Sequence, residues 1–279
     1  MLELHCHTTY SDGRLTPTEL VNKAVLSGVR ALAITDHDTL GGWEEAIAAA
    51  ESLPIEIVPG VELSTVYNER SLHILGFYPQ ESLLKEPLSE RLAGRKRRAA
   101  KMVANLREMG YDLELPELSG NMALGRPHIA RAMLEAGYVR SMKEAFARFI
   151  GEDKPAYVHY EKFSSQEGIE LIKACKGIPV WAHPYLFRGG KVEDVLPELV
   201  DAGLMGIEVY HPDCSPSQQQ KLLGYCQHYG LLATGGTDYH GEVPGKAKIK
   251  NQLNHFQLPL TMLDSLKQAS LGIRFDPFQ

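Results

Sequence analysis

A chain of 279 residues, 44% hydrophobic and 23% charged, has the make-up of a soluble globular protein and the length for a full barrel or a core domain carrying an insertion. Its formal net charge of −6 excludes the domain-wide basic field of a duplex-wrapping protein, so no stable duplex nucleic-acid binding is expected, whereas a small phosphorylated ligand needs only a local positive patch. No apolar run approaches membrane-spanning length, the start MLELHCHTTYSDG lacks the pattern of a secretory signal, and Cys6, Cys175, Cys214 and Cys226 show no paired spacing; reduced thiols and a cytoplasmic location are expected.

In chain order the expected strands are LELHCH (2–7), ALAITD (31–36), EIVPGVEL (56–63), SLHILGFY (71–78), PVWAHP (179–184), GIEVYH (206–211) and LLATGGTD (231–238). Several are near-continuous apolar runs, as in parallel strands buried on both faces. Helix starts lie between them. Thr16-Pro17-Thr18-Glu19 combines a capping box with a proline at the first helical position, and Ser164 with Glu167 and Ser215 with Gln218 repeat the spacing, while Gly28, Gly203 and Gly230 fall where helices should stop. This alternation predicts an α/β barrel or an open doubly wound sheet. Residues 79–158 break the rhythm and read as helices near 89–109, from Gly125-Arg126-Pro127, and near 141–150. They are expected to form a helical insertion into a domain made of 1–78 and 159–279.

The histidines and acids fall where these strands end. His5 and His7 are two apart on the first strand and so share a face, with Cys6 turned to the other face for packing. Asp12 sits in the turn Ser11-Asp12-Gly13, His37 closes the second strand between Asp36 and Asp38, Glu62 the third, and His73 lies in the fourth. His183 and His211 end later strands, and Asp238 and His240 follow the last. In parallel α/β folds the carboxyl ends of the strands build the active site. Imidazoles and carboxylates without thiolates suit zinc, manganese or iron, and their number exceeds what one ion can use.

The segments His5-Cys6-His7-Thr8, Ser11-Asp12-Gly13, Thr35-Asp36-His37-Asp38, Gly60-Val61-Glu62, Ala182-His183-Pro184 and Gly236-Thr237-Asp238-Tyr239-His240 resemble the ordered motifs of the PHP (polymerase and histidinol phosphatase) superfamily. Within it the chain is similar to stand-alone phosphoesterases acting on nucleoside 3′,5′-bisphosphates and 5′-phosphorylated short oligonucleotides, through Gly125-Arg126-Pro127-His128 and Lys154-Pro155-Ala156-Tyr157-Val158. The resemblance implies a distorted (β/α)7 barrel with an inserted small helical domain, and two or three divalent ions (Mn, Fe or Zn). One ion would take His5, His7, Glu62 and Asp238; a second Asp12, His37 and His240; a third His73 and His183, sharing Glu62.

Such a cluster suits phosphate ester cleavage by metal-activated hydroxide, because divalent ions hold the phosphoryl oxygens and lower the pKa of water. His211 is the expected proton donor to the leaving group, and Asp36 and Asp38 are expected to orient His37 or a neighbour. On a helix Arg91, Arg95 and Arg98 share one row, where Arg95 and Arg98 can grip a phosphate. Arg126 and His128 stand beside a helix start that favours anions. The alternatives are a histidinol-phosphate-type or general phosphomonoesterase and a non-catalytic metal-stabilised binding module; the second would need missing ligands, and none is missing.

Overall fold

The structure is a computed structural model that describes residues 1–115, 122–160, 163–242 and 252–274. Seven strands form one sheet in sequence order: β1 (Leu2–Glu3), β2 (Ala31–Ile34), β3 (Glu56–Tyr67), β4 (Arg70–Phe77), β5 (Ile178–Trp181), β6 (Gly206–Tyr210) and β7 (Leu232–Gly235). Beyond β7 the chain runs beside the segment after β1: Leu4 N donates to Gly235 O (3.3 Å), Tyr239 N to His5 O (3.1 Å) and His7 N to Tyr239 O (2.9 Å). These bonds nearly close the sheet into a barrel.

Alternate residues of a strand enter different clusters, as the period of two requires. Ala31 and Ala33 of β2 meet Val58, Leu75 and Val180 inside the barrel, where α9 (Thr261–Arg274) adds Leu263 and Leu266. Leu32 and Ile34 face the other way, onto Leu20, Val21 and Ala46 of α1 (Pro17–Leu26) and α2 (Trp43–Ala50). Cys6 is fully buried in this outer cluster, consistent with packing. The capping boxes form at Thr16–Glu19, at Ser164–Glu167 opening α6 (Ser165–Ala174) and at Ser215–Gln218 opening α8 (Pro216–Tyr229). Gly28, Gly203 and Gly230 all adopt positive φ at helix ends.

Strand–helix alternation fails in one place. The third expected strand runs past residue 63 to Tyr67, turns through Asn68 and Glu69, both at positive φ (47° and 60°), and returns antiparallel as β4. β4 is also antiparallel to β5, whereas the remaining pairs are parallel. A two-residue turn can only join antiparallel neighbours. An apolar run such as SLHILGF carries no sign of strand direction, which is why the hairpin escaped the sequence.

Between β4 and α6 lie α3 (Glu81–Glu108), α4 (Arg126–Glu135) and α5 (Met142–Ala145), the last continuing directly into a π-helical turn, Phe146–Ile150. They pack on their own cluster, in which Ala99, Met102 and Leu106 of α3 meet Ile129, Met133 and Phe149. The N-terminal half of the same face of α3 packs on the barrel, where Leu84 and Leu88 join Val61, Leu63 and Leu72. Among the described residues no helix is long and apolar enough to cross a membrane.

Candidate active site

Glu62 stands at the centre of the site. Its Oε1 lies 2.8 Å from His73 Nδ1 and 2.9 Å from His183 Nε2, and its Oε2 lies 3.0 Å from His37 Nδ1, 3.3 Å from His7 Nε2 and 3.4 Å from His5 Nε2. Asp238 Oδ1 approaches the same His5 and His7 nitrogens at 3.3 and 3.2 Å. Asp12 faces His240 Nε2 at 3.1 Å, His7 Nδ1 at 3.6 Å and His37 Nε2 at 3.8 Å. Residues from both ends of the chain therefore converge at one rim of the barrel. Asp38, His183 and Asp238 hold left-handed backbone (φ 51°, 34° and 49°), a conformation that costs free energy in non-glycine residues and gathers at functional sites.

The donor set fits divalent cations. Among the described residues His5 Nε2, His7 Nε2, His37 Nδ1 and Asp12 Oδ1 are buried and lack hydrogen-bond partners, an arrangement that is costly unless a cation meets those lone pairs. Their ligand atoms fall into close groups, among them His7-Asp12-His37-His240, His5-His7-Asp238, His5-Glu62-His183 and His37-Glu62-His73. Burial alone would push the Asp12, Glu62 and Asp238 carboxyls up, yet the surrounding imidazoles hold all three well below the usual carboxylate range. Concentrated negative charge of this kind is what a group of divalent ions neutralises.

Behind the cluster, buried acids fix the shape of the rim. Asp36 accepts from Thr8 N (2.7 Å), Thr8 Oγ1 (2.6 Å) and Ser11 Oγ (2.5 Å); Ser11 Oγ is in turn 3.3 Å from His7 Nδ1. Asp36 thus shapes the turn that presents His7 and Asp12. Asp38 Oδ2 accepts from Arg95 Nε (2.6 Å), and its Oδ1 accepts from Ser64 N (3.1 Å) and lies 3.6 Å from Arg91 Nε. Its bonds tie α3 to the barrel. His211 is 3% exposed, its Nε2 lies 3.6 Å from Asp238 Oδ2, and its Nδ1 accepts from Asp213 N (3.2 Å). Accepting at Nδ1 leaves the proton of the neutral ring on Nε2, facing the cluster.

Two acids went unnoticed in the sequence. Glu208 of β6 is fully buried; its Oε1 lies 2.8 Å from His5 Nδ1 and its Oε2 accepts from His183 N (2.7 Å), so one carboxylate governs two residues of the cluster. Glu3 of β1 accepts from Thr237 N (2.5 Å) and Asn254 N (3.0 Å), and burial raises its carboxyl to about 7 despite these bonds. The available signal was an acid in the middle of an apolar strand, a position that demands a partner.

The arginine row of α3 meets aromatic residues three apart. Arg91 lies 4.0 Å from the centre of the Phe163 ring, Arg98 3.7 Å from that of Tyr160 and 5.3 Å from that of Tyr157, and Arg126 5.5 Å from that of Tyr157. Arg95 is committed to Asp38 and Ser64 Oγ (2.5 Å). Arg98 is different: Nε donates to Val158 O (2.7 Å), while Nη2 is buried without a hydrogen-bond partner among the described residues. Burial would raise the Tyr160 phenol, but Arg98, Arg95 and Arg126 outweigh it and bring the group down to about 8. His128 Nδ1 accepts from Gly125 N (3.1 Å), capping α4 beside Arg126, and burial lowers its pKa, favouring the neutral ring.

The PHP domain family matches residues 3–173. The chain belongs to this family. It is a metal-dependent phosphoesterase with the mixed α/β barrel expected from the motif resemblance. A 5′-3′ exoribonuclease of Haemophilus influenzae is 35% identical over 249 residues, covering 85% of this chain and 89% of that protein. A 3′,5′-nucleoside bisphosphate phosphatase of Chromobacterium violaceum is 33% identical over 253 residues, covering 88% of each. A Bifidobacterium adolescentis structure assigned as a metal-dependent phosphoesterase superposes with a TM-score of 0.82 at 28% identity over 96% of both chains.

Proposed function

We propose that this PHP protein hydrolyses phosphate esters of nucleotides, acting on nucleoside 3′,5′-bisphosphates and on 5′-phosphorylated short oligonucleotides as a 5′-3′ exonuclease. The observation that carries the reading is the pairing of the Glu62-centred cluster with a buried arginine row whose Arg98 Nη2 has no hydrogen-bond partner among the described residues. The similarity to a 5′-3′ exoribonuclease and to a 3′,5′-nucleoside bisphosphate phosphatase supports the choice.

In this reading His5, His7, Glu62 and Asp238 hold one ion, Asp12, His37 and His240 a second, and His73 and His183 a third that shares Glu62. Two or three ions of manganese, iron or zinc suit these ligands. The bound ions supply charge neutralisation at the phosphoryl oxygens and a lowered pKa for water. The chain's own groups do the rest. Arg98 and Arg126 receive a terminal phosphate, and the aromatic rings beside them hold both guanidinium planes in place. Arg95 and Asp38 lock the helix that carries this grip, and His128 sets the start of α4 and with it Arg126. His211 donates its Nε2 proton to the leaving oxygen from the imidazolium form, which it reaches by taking up a proton at Nδ1 in place of the Asp213 N–H bond. Asp36 holds the Thr8–Ser11 turn so that His7 and Asp12 keep their aim.

We assign 1–78 and 159–279 to the metal-holding barrel and 79–158 to substrate binding. A cytoplasmic location accords with four free cysteines, and a net charge of −6 disfavours stable duplex binding. The test is a manganese-supplemented assay of purified protein on adenosine 3′,5′-bisphosphate, a 5′-phosphorylated dinucleotide and histidinol phosphate. Turnover of the first two is expected; turnover of histidinol phosphate alone would overturn the substrate assignment.

A further inference from the structure

A cleft of about 450 Å³ opens against His73 and His183 and runs outward past Arg126, Lys143, Lys154 and Arg188. Its size suits a nucleotide-scale ligand. One carboxylate, Glu152, also lines it, but Glu152 Oε1 accepts from Ser71 N (3.2 Å) and its Oε2 faces Arg70 at 3.9 Å, so much of its charge is engaged. A protein of net charge −6 thus concentrates four cationic side chains along one channel that begins at two residues of the metal cluster. Two partly buried rings, Phe146 and Phe187, stand among these cations; Phe187 is anchored edge-on against Tyr67 (6.0 Å) and Trp181 (6.2 Å). Phe146 belongs to the π-helical turn Phe146–Ile150, and such turns are rare and recur at functional sites. Alternating cations and aromatic faces are how proteins hold single-stranded nucleic acid without reading its sequence.

We infer that this cleft is a track for the chain beyond the scissile phosphate, in which Lys143, Lys154 and Arg188 take successive phosphates and Phe146 and Phe187 stack on bases. The inference rests on the nucleotide-hydrolase reading above and adds a determinant of substrate length. Oligonucleotides of three or more nucleotides use the track, whereas a nucleoside bisphosphate ends before it.

The test compares the wild type with the variant Lys143→Ala/Lys154→Ala/Arg188→Ala, whose three sites are all exposed, so that folding is preserved and verified by circular dichroism. Both proteins are assayed with manganese on adenosine 3′,5′-bisphosphate and on a 5′-phosphorylated pentanucleotide, from about 50 to about 200 mM salt. Three lost phosphate contacts should flatten the log–log salt dependence for the pentanucleotide by about 2, roughly a 15–20-fold smaller loss of kcat/KM over that range than in the wild type. At the low-salt end the variant should be slower on the pentanucleotide by about tenfold or more, with bisphosphate turnover kept. Equal losses on both substrates would overturn the inference by making the cleft the site of the first nucleotide. Unchanged kinetics on both would overturn it as well. A wild type inactive on both would instead sink the underlying nucleotide reading, and the track with it.

Discussion

Replacing Glu208 with glutamine changes one oxygen to an amide and should cost the metal site far more than that small edit suggests. The carboxylate faces two donors, the His183 backbone N–H at 2.7 Å and His5 Nδ1 at 2.8 Å. With Nδ1 carrying its proton toward Glu208, His5 Nε2 keeps a lone pair directed at the space shared with Glu62 and Asp238. Glutamine has only one acceptor oxygen. If that oxygen stays on the His183 N–H, its NH2 group meets His5 Nδ1 and selects the other tautomer, whose Nε2 bears a proton and cannot ligate. If the amide flips, the His183 N–H loses its acceptor and the left-handed His183 (φ 34°) loses its restraint. Either way a charge-assisted hydrogen bond worth about 1.5–3 kcal/mol is lost, so manganese affinity should fall by roughly 10–100-fold. Titration of chelator-stripped protein by isothermal calorimetry measures this directly, without reference to turnover. Wild-type affinity in Glu208→Gln would refute the tautomer argument.

Three further outcomes are expected. Arg98→Ala removes a charge-assisted phosphate contact of about 1.5–3 kcal/mol and should raise KM for adenosine 3′,5′-bisphosphate by roughly 10–100-fold with a smaller effect on kcat; unchanged steady-state kinetics would take Arg98 out of the site. His211→Ala should lower kcat by about 10²–10⁴ at unchanged metal content, and the loss should shrink for an aryl phosphate whose leaving group needs no proton; an equal loss on both esters would argue against proton donation. Tyr160 titrates near 8 in the folded chain, below the ordinary phenol value, so the unfolded chain binds more protons between about pH 8 and 10 and stability should rise with pH across that window. Tyr160→Phe should abolish that rise in denaturant-unfolding curves; parallel curves for both proteins would show that the arginines do not depress the phenol.

The cluster was legible because chemistry-bearing side chains recur at strand ends, where an α/β barrel needs no packing histidines. His5, His7, His37 and His183 could be located from apolar runs and their exits alone. The direction of β4 could not, since burial on both faces erases the alternation that would separate a hairpin from a crossover, and Asn68-Glu69 is a weaker turn signal than Asn-Gly. The partners of Asp36 and Asp38 were hidden for another reason. Adjacency to His37 suggested that they orient it or a neighbour; their bonds go to Thr8, Ser11, Ser64 and Arg95, distant in sequence, to which adjacency cannot point. The arginine row was visible from helical spacing, yet its division of labour depends on an aromatic segment some 60 residues away in sequence, against which Arg98 packs. Glu208 shows the limit most clearly, because its value lies in two contacts made across the barrel.

If Glu62 gathers histidines from distant strands to hold the ions on which catalysis depends, elemental analysis of the wild type and Glu62→Ala, purified in parallel without chelators, will show it. Tightly held manganese, iron or zinc at two or more equivalents is expected in the wild type, with a marked loss of metal in the variant. A wild type that is folded, hydrolyses phosphate esters and contains no such metal would contradict it.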